Sequence, residues 1–190
     1  MKLLHLDSSI QGDASVTRAV SAAVVERLRT DNADLNVSYR DLASNPVDHL
    51  TFAAFGGTEA TALLEEFLAA DIVVIGAPLY NFTISSQLKA WIDRIVSKGK
   101  TFRYGEHGVE GLAGGKRVIV ALSRGGVYSK GSPIAADEHA ETLLRTVLGF
   151  IGIDDLQFII AEGVDLGADE RRIALNAAVT QAGQVAPAQA

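Results

Sequence analysis

The chain has 190 residues, of which 48% are hydrophobic and 21% charged, and its formal net charge is −6. That length suits one domain of roughly 100–200 residues around a sizeable core. The acidic balance argues against nucleic acid and anionic membrane as partners, since both reward clustered Lys and Arg, and the lack of cysteine excludes disulfides, thiolate nucleophiles and Cys-ligated metals. No apolar run approaches the ~20 residues of a membrane span. The first residues lack the apolar h-region of a signal peptide. The expectation is therefore a cytoplasmic protein.

Leu3–Leu6 reads as a first strand. Thr17–Leu28 carries Val20, Val24, Val25 and Leu28 at helical spacing. Leu35–Tyr39 alternates with period two, as a half-exposed strand does, and Ala60–Leu68 is a second helix. Ile72–Ile75 is a fully buried strand that stops at Gly76 and Pro78. Ser85–Val96 follows as a helix, with Ile84, Leu88, Trp91, Ile92 and Ile95 on one stripe. Thr101–Leu112 is glycine-bearing and aromatic, an excursion with hairpin character. Arg117–Leu122 is a fourth strand, Asp137–Phe150 a helix, Phe158–Ala161 a fifth strand and Ala168–Ala182 the last helix.

Five strands separated by helices imply a doubly wound parallel sheet with helices on both faces. The flavodoxin-like order 2-1-3-4-5 fits right-handed crossovers and puts the switch point between strands one and three. Residues 1–184 read as a single α/β domain, and 185–190, with Pro187, as a frayed tail.

Ligands in such sheets bind outside the carboxyl ends of the strands. Three loops meet that description. The first, Asp7–Thr17, precedes a helix and offers hydroxyls at Ser9, Ser15 and Thr17, with Arg18 the nearby cation. A helix N-terminus with hydroxyls suits a single phosphate. The G-x-G-x-x-G of a dinucleotide site is absent. The plainer reading of Ser15 or Thr17 is an N-cap. The second loop is Pro78-Leu79-Tyr80-Asn81-Phe82, whose aromatic and amide groups suit a flat, polar-edged ring. The third is Ser123-Arg124-Gly125-Gly126, where paired glycines allow close backbone approach, although Gly-Gly alone is a common turn.

Other patterns carry less. His5 reads as structural, and His49, His107 and His139 show no ligand spacing, so no metal site is expected. Gly111–Lys116 is one residue short of a P-loop, Arg117 stands where Ser or Thr belongs, and a strand follows instead of a helix. A phospho-acceptor pocket around Asp7 lacks a second carboxylate at the strand end.

With these loops in view, the chain resembles the FMN-dependent NADH-azoreductases, which also act as quinone reductases. The matching residues are Ser9, Ser15-Val16-Thr17, residues 77–82, Leu88-Lys89, Thr101–Tyr104, Gly111-Leu112, Ser123–Gly126, Gly149–Ile153 and Ala161-Glu162-Gly163. The family usually has Met where Leu79 stands. The resemblance implies one non-covalent FMN per subunit and NADH as electron donor. It also implies quinones or aromatic azo compounds as acceptors in two-electron, ping-pong turnover. Ser9, Ser15, Val16 and Thr17 would hold the phosphate. Pro78, Leu79, Tyr80, Asn81, Phe82, Ser123, Arg124, Gly125 and Gly126 would contact the ring. Phe102, Tyr104 and Phe150 resemble positions on the substrate side. No side chain is expected to be catalytic in its own right, since flavin carries the hydride chemistry. Tyr104 reads as a pocket wall, because a tyrosine pKa near 10 makes it a reluctant acid.

Phe52, Phe55, Phe102 and Tyr104 in connections predict a homodimer that shares its pockets. The alternative function is a flavodoxin-type carrier that passes single electrons to protein partners. A non-catalytic association domain is a third reading. Reduction of a simple quinone by purified protein with NADH alone separates the first from the others.

Overall fold

Strand β1 (Lys2–Asp7) leads through one 3₁₀ turn to α1 (Val16–Asp31), then to β2 (Asn36–Asp41) and α2 (Thr58–Ala69). Next come β3 (Ile72–Pro78), α3 (Ser86–Ile95) and a hairpin of β4 (Phe102–Gly105) and β5 (Gly108–Gly111). The chain closes with β6 (Arg117–Arg124), α4 (Ala140–Phe150), β7 (Asp155–Glu162) and α5 (Ala168–Ala182). This computed structural model describes residues 1–54, 58–106 and 108–187. Phe55, His107 and 188–190, named in the sequence reading, lie outside the described residues.

The main sheet is five-stranded, in the order β2-β1-β3-β6-β7, with every pair parallel. Without the hairpin strands this is the flavodoxin-like order expected from the sequence. Alternation along each strand feeds two cores. Leu4, Leu6, Val73, Ile75, Val118 and Val120 pack toward α2, α3 and α4, and Leu3, Ile72, Val74, Ile119 and Ile159 toward α1 and α5. Phe67 and Trp91 are fully buried edge to face, 5.8 Å between centroids. Burying each such side chain contributes roughly 1.5–3 kcal/mol.

Two expectations need correction. Residues 137–139 do not belong to α4. A 3₁₀ turn occupies Ala135–Asp137, and the helix begins at Ala140, where Glu138 Oε1 accepts from the Ala140 and Glu141 N–H groups. The tail is not frayed over 185–187. Val185 is buried in the second core, and Arg117 donates to the Ala186 carbonyl at 2.7 Å.

Candidate functional site

Because all five strands run the same way, the ends of β1, β3 and β6 share one edge of the sheet. Backbone hydrogen bonds carry the alignment past the strands. The Leu79 N–H donates to the Ser123 carbonyl at 2.8 Å, which locks the second loop to the third. The Ser8 hydroxyl and N–H both donate to the Gly76 carbonyl, which locks the first loop to the second. The Ser9 hydroxyl then lies 3.1 Å from the Tyr80 hydroxyl, and the Ile10 N–H donates to that phenol at 3.3 Å.

The first loop is both a cap and a donor array. Ser15 caps α1, its hydroxyl accepting from the Arg18 N–H at 3.3 Å, so the plain N-cap reading holds. Its oxygen also lies 3.1 Å from the Thr17 hydroxyl. Ser9, Ser15 and Thr17 are all buried. The N–H groups of Val16 and Thr17 open the helix and find no acceptor within it. Hydroxyls and amides gathered at a positive helix end fit a phosphate.

The second loop is a tight turn. Tyr80 and Thr83 exchange N–H···O bonds of 2.8 and 3.1 Å, and both residues between them have positive φ, 46° at Asn81 and 72° at Phe82. Asparagine tolerates that region; phenylalanine seldom does. Holding each there costs about 1–3 kcal/mol, and such residues cluster at functional sites. The turn presents both side chains to solvent, while Leu79 and Tyr80 are half-buried and Pro78 ends β3 inside the fold. A pocket of about 480 Å³ opens here, lined by Ile10, Tyr80, Asn81, Gln87, Lys89 and Leu143. A separate cavity of about 300 Å³ between α2 and α3, lined by Leu50, Leu64, Leu68 and Arg94 among others, contains none of the sequence-predicted site residues.

In the third loop, Ser123 and Arg124 are the buried last residues of β6, and Gly125 and Gly126 are half-buried. The Arg124 guanidinium meets Glu141 at 2.6 Å, Glu162 at 2.9 Å and Glu138 at 3.5 Å. Burial alone would raise the Glu141 and Glu162 carboxyls, but Arg145 and Arg124 at Glu141, and Ser129 and Arg124 at Glu162, hold both below their usual range. The Arg124 side chain is therefore committed behind the loop, and its main chain is what remains facing into it. Space is also tight there. A Cβ on Gly125 would stand 2.5 Å from an Asp165 carboxylate oxygen.

Phe102, Tyr104 and Phe150 do come together. Phe102 lies 4.7 Å from Phe150 and 5.7 Å from Tyr104 between ring centroids. They do not join the three loops. Helix α4 runs antiparallel to the strands, so its 11 residues carry the chain about 16 Å from the carboxyl edge to the amino edge. The hairpin docks at that amino edge, where the Ala113 N–H donates to the Ile151 carbonyl at 2.9 Å. Within one chain the aromatic trio is thus at the opposite end of the sheet from Tyr80.

Sequence reasoning missed a polar cluster beneath the first loop. Asp7 is buried and accepts from Ser21 at 2.8 Å and from the Tyr39 hydroxyl at 3.2 Å, with His5 Nε2 at 3.6 Å. Burial pushes its carboxyl up, but His5, Ser21 and Arg18 together hold it below the usual range. Arg18 beside Asp41 lowers that carboxyl strongly. The sequence signal was the count of polar residues within buried elements: His5, Asp7, Ser21.

Comparison with known proteins agrees with this fold. A family model described as a flavodoxin-like fold matches residues 1–186. A protein of Methylorubrum extorquens named FMN-dependent NADH:quinone oxidoreductase is 59% identical, over 96% of this chain and 97% of its own. Its namesake from Methylorubrum populi is 58% identical with the same coverage. Among solved structures, an azoreductase from Bacillus anthracis superposes with a TM-score of 0.88 at 27% identity, covering 97% of both chains.

Proposed function

The chain belongs to the FMN-dependent NADH:quinone oxidoreductases of flavodoxin-like fold, and from that premise we propose that it moves hydride from NADH through FMN to quinones and aromatic azo compounds. The observation that carries the reading is the buried hydroxyl and amide array at α1 joined, through Ser9 and Tyr80, to the strained aromatic turn. Bound FMN supplies the hydride-accepting ring.

The chain's own residues divide the remaining work. Ser9, Ser15 and Thr17 donate to the phosphate, together with the Val16 and Thr17 N–H groups. Pro78, Leu79, Tyr80, Asn81 and Phe82 flank the ring. The N–H groups of Gly125 and Gly126 would hold the ring and, as preorganised amides do for an oxyanion, would favour its negatively charged form. Ser123 fixes Leu79 through its carbonyl, and Arg124 braces the glycines from behind. NADH and the acceptor use one pocket in turn.

The assembly we propose is a homodimer, one FMN per subunit, in which the Phe102, Tyr104 and Phe150 cluster of each protomer closes its partner's pocket. Its support is the position of that cluster at the far edge and the 65% exposure of the Tyr104 side chain. Exposed aromatics of this kind mark interfaces. A cytoplasmic location is part of the same proposal; no described helix is long and apolar enough to cross a membrane.

Purified protein carrying FMN is expected to reduce a simple benzoquinone with NADH, giving parallel reciprocal plots. A protein that binds FMN yet passes electrons only to another protein would sink the enzyme reading in favour of a carrier. Lines that intersect for every acceptor would sink the shared pocket.

A further inference from the structure

Two cations touch the first loop, Arg171 at the Ala14 carbonyl and Arg18 at the Ser9 carbonyl; for Arg18, in the first turn of α1, the obvious assignment is a direct partner for the phosphate. Its contacts point elsewhere. Nη2 donates to the Ser9 carbonyl at 2.9 Å and to Asp41 Oδ1 at 2.8 Å. Nη1 donates to the Tyr39 hydroxyl at 3.1 Å and lies 4.0 Å from Asp7 Oδ2. The guanidinium sits between two carboxylates, so its charge is already answered. Its remaining nitrogen, Nε, is buried with no partner among the described residues.

Both carboxylates are themselves fixed. Asp41 accepts from the Ala43 and Ser44 N–H groups and the Ser44 hydroxyl. Asp7 is held by Ser21 and Tyr39, and its carbonyl accepts from the Leu42 N–H at 2.8 Å. Arg18 therefore ties the first turn of α1 and the ends of β1 and β2 to one carbonyl, that of Ser9. The same residue presents its hydroxyl to Tyr80.

Resting on the phosphate reading above, we propose that Arg18 is a positioning residue: it pins the Ser9 carbonyl, and so aims the Ser9 hydroxyl and the loop N–H groups, while the phosphate itself is met by uncharged donors. A rigid fork with several donors suits this task; a lysine ammonium cannot reach the Ser9 carbonyl, Asp41 and Tyr39 together.

The test is fluorescence titration of apoprotein with FMN and, separately, with riboflavin, which lacks the phosphate. Arg18→Met is expected to raise the FMN Kd at least tenfold and leave riboflavin within twofold, and Arg18→Lys to recover less than half of that loss. Asp41→Asn separates positioning from direct contact, and keeps the test alive should Arg18→Met fold poorly. If Arg18 positions the loop, loosening its anchor weakens FMN about fivefold. If Arg18 binds phosphate directly, removing a competing carboxylate leaves FMN unchanged or tightens it, and the proposal falls. Equal weakening of FMN and riboflavin also overturns it, because that marks general support of the fold. The parent reading fails separately: a Ser9→Ala, Thr17→Ala double variant with an unchanged FMN Kd moves the phosphate elsewhere, whatever Arg18 does.

Discussion

At the carboxyl edge of the sheet, Asn81 and Phe82 hold positive φ although neither is glycine, alongside Gly12, Gly131 and Gly163; at the amino edge the positive-φ positions among the described residues, Gly99, Gly108, Gly115 and Gly152, are all glycine. Glycine adopts that conformation without steric cost. Where the chain needs only to turn, it uses glycine. Where the side chain is wanted, it keeps the side chain and tolerates about 1–3 kcal/mol of strain per residue. Charge divides in the same way. Asp7, Asp41, Glu141 and Glu162, the carboxyls held below their usual range among the described residues, all gather at the carboxyl edge. The amino edge instead carries a close backbone contact between Gly111 and Gly152 and a cluster of tilted and edge-to-face aromatic rings. One edge gathers hydroxyls and charge, the other close backbone contacts and aromatic rings.

The sharpest break comes from stripping the carboxyl edge of its hydroxyls. Ser9→Ala with Thr17→Ala removes two donors to a charged acceptor, each contributing roughly 1.5–3 kcal/mol. FMN affinity, read by fluorescence quenching, is expected to fall by about two orders of magnitude or more, with the far-ultraviolet circular dichroism of the apoprotein intact. At the amino edge the result inverts. A Cβ on Gly111 would collide with the backbone of Ile151 and Gly152, which cannot swing aside. Gly111→Ala should lose about 3 kcal/mol of stability by urea titration, while FMN affinity per folded molecule changes little. A large drop in that affinity would show the two edges to be coupled.

Acid provides a gentler probe of the same contrast. A carboxyl with a depressed folded pKa contributes fully above its unfolded value of about 4, and that contribution is lost as pH falls through the lower folded value. Since Asp7, Asp41, Glu141 and Glu162 all border the carboxyl edge, FMN should be released on acidification before the core melts. Flavin fluorescence and circular dichroism followed together from pH 6 to pH 2 will check the order; coincident transitions would erase the distinction. Asp7→Asn, which mimics the protonated carboxyl, should reduce the pH dependence of flavin release. The smallest expected change in stability is that of Tyr104→Ala, under about 0.5 kcal/mol for so exposed a ring. Its signature is a shift in KM among quinones, with FMN Kd unmoved.

Much of this could be read from residues near one another in sequence. The apolar run Ile72–Ile75, cut by Gly76 and Pro78, located the central strand and the loop beyond it. Alternating strands and helices fixed the sheet order, and Ser15 with Thr17 marked the start of α1. What escaped depends on distance along the chain. Arg18 finds partners at Ser9, Tyr39 and Asp41, and no local pattern links those positions. Arg124 looked like a loop residue because its three glutamates lie 14 to 38 positions away. The place of Tyr104 and Phe150 follows from chain direction alone: a helix leaving a carboxyl-edge loop must end at the amino edge, so the residues at or after the ends of α3 and α4 lie at the far end of the sheet.

The separation of the strained Asn81–Phe82 turn from the aromatic hairpin has a genetic consequence. In the proposed dimer each pocket draws its floor from one polypeptide and its roof from the other. A chain defective at Ser9 and Thr17 and a second chain defective at Tyr104, mixed in one dimer, would distribute their faults unevenly: one pocket would inherit both, and its companion neither. Two alleles that are each impaired alone would then restore function together, up to half the sites of every mixed pair.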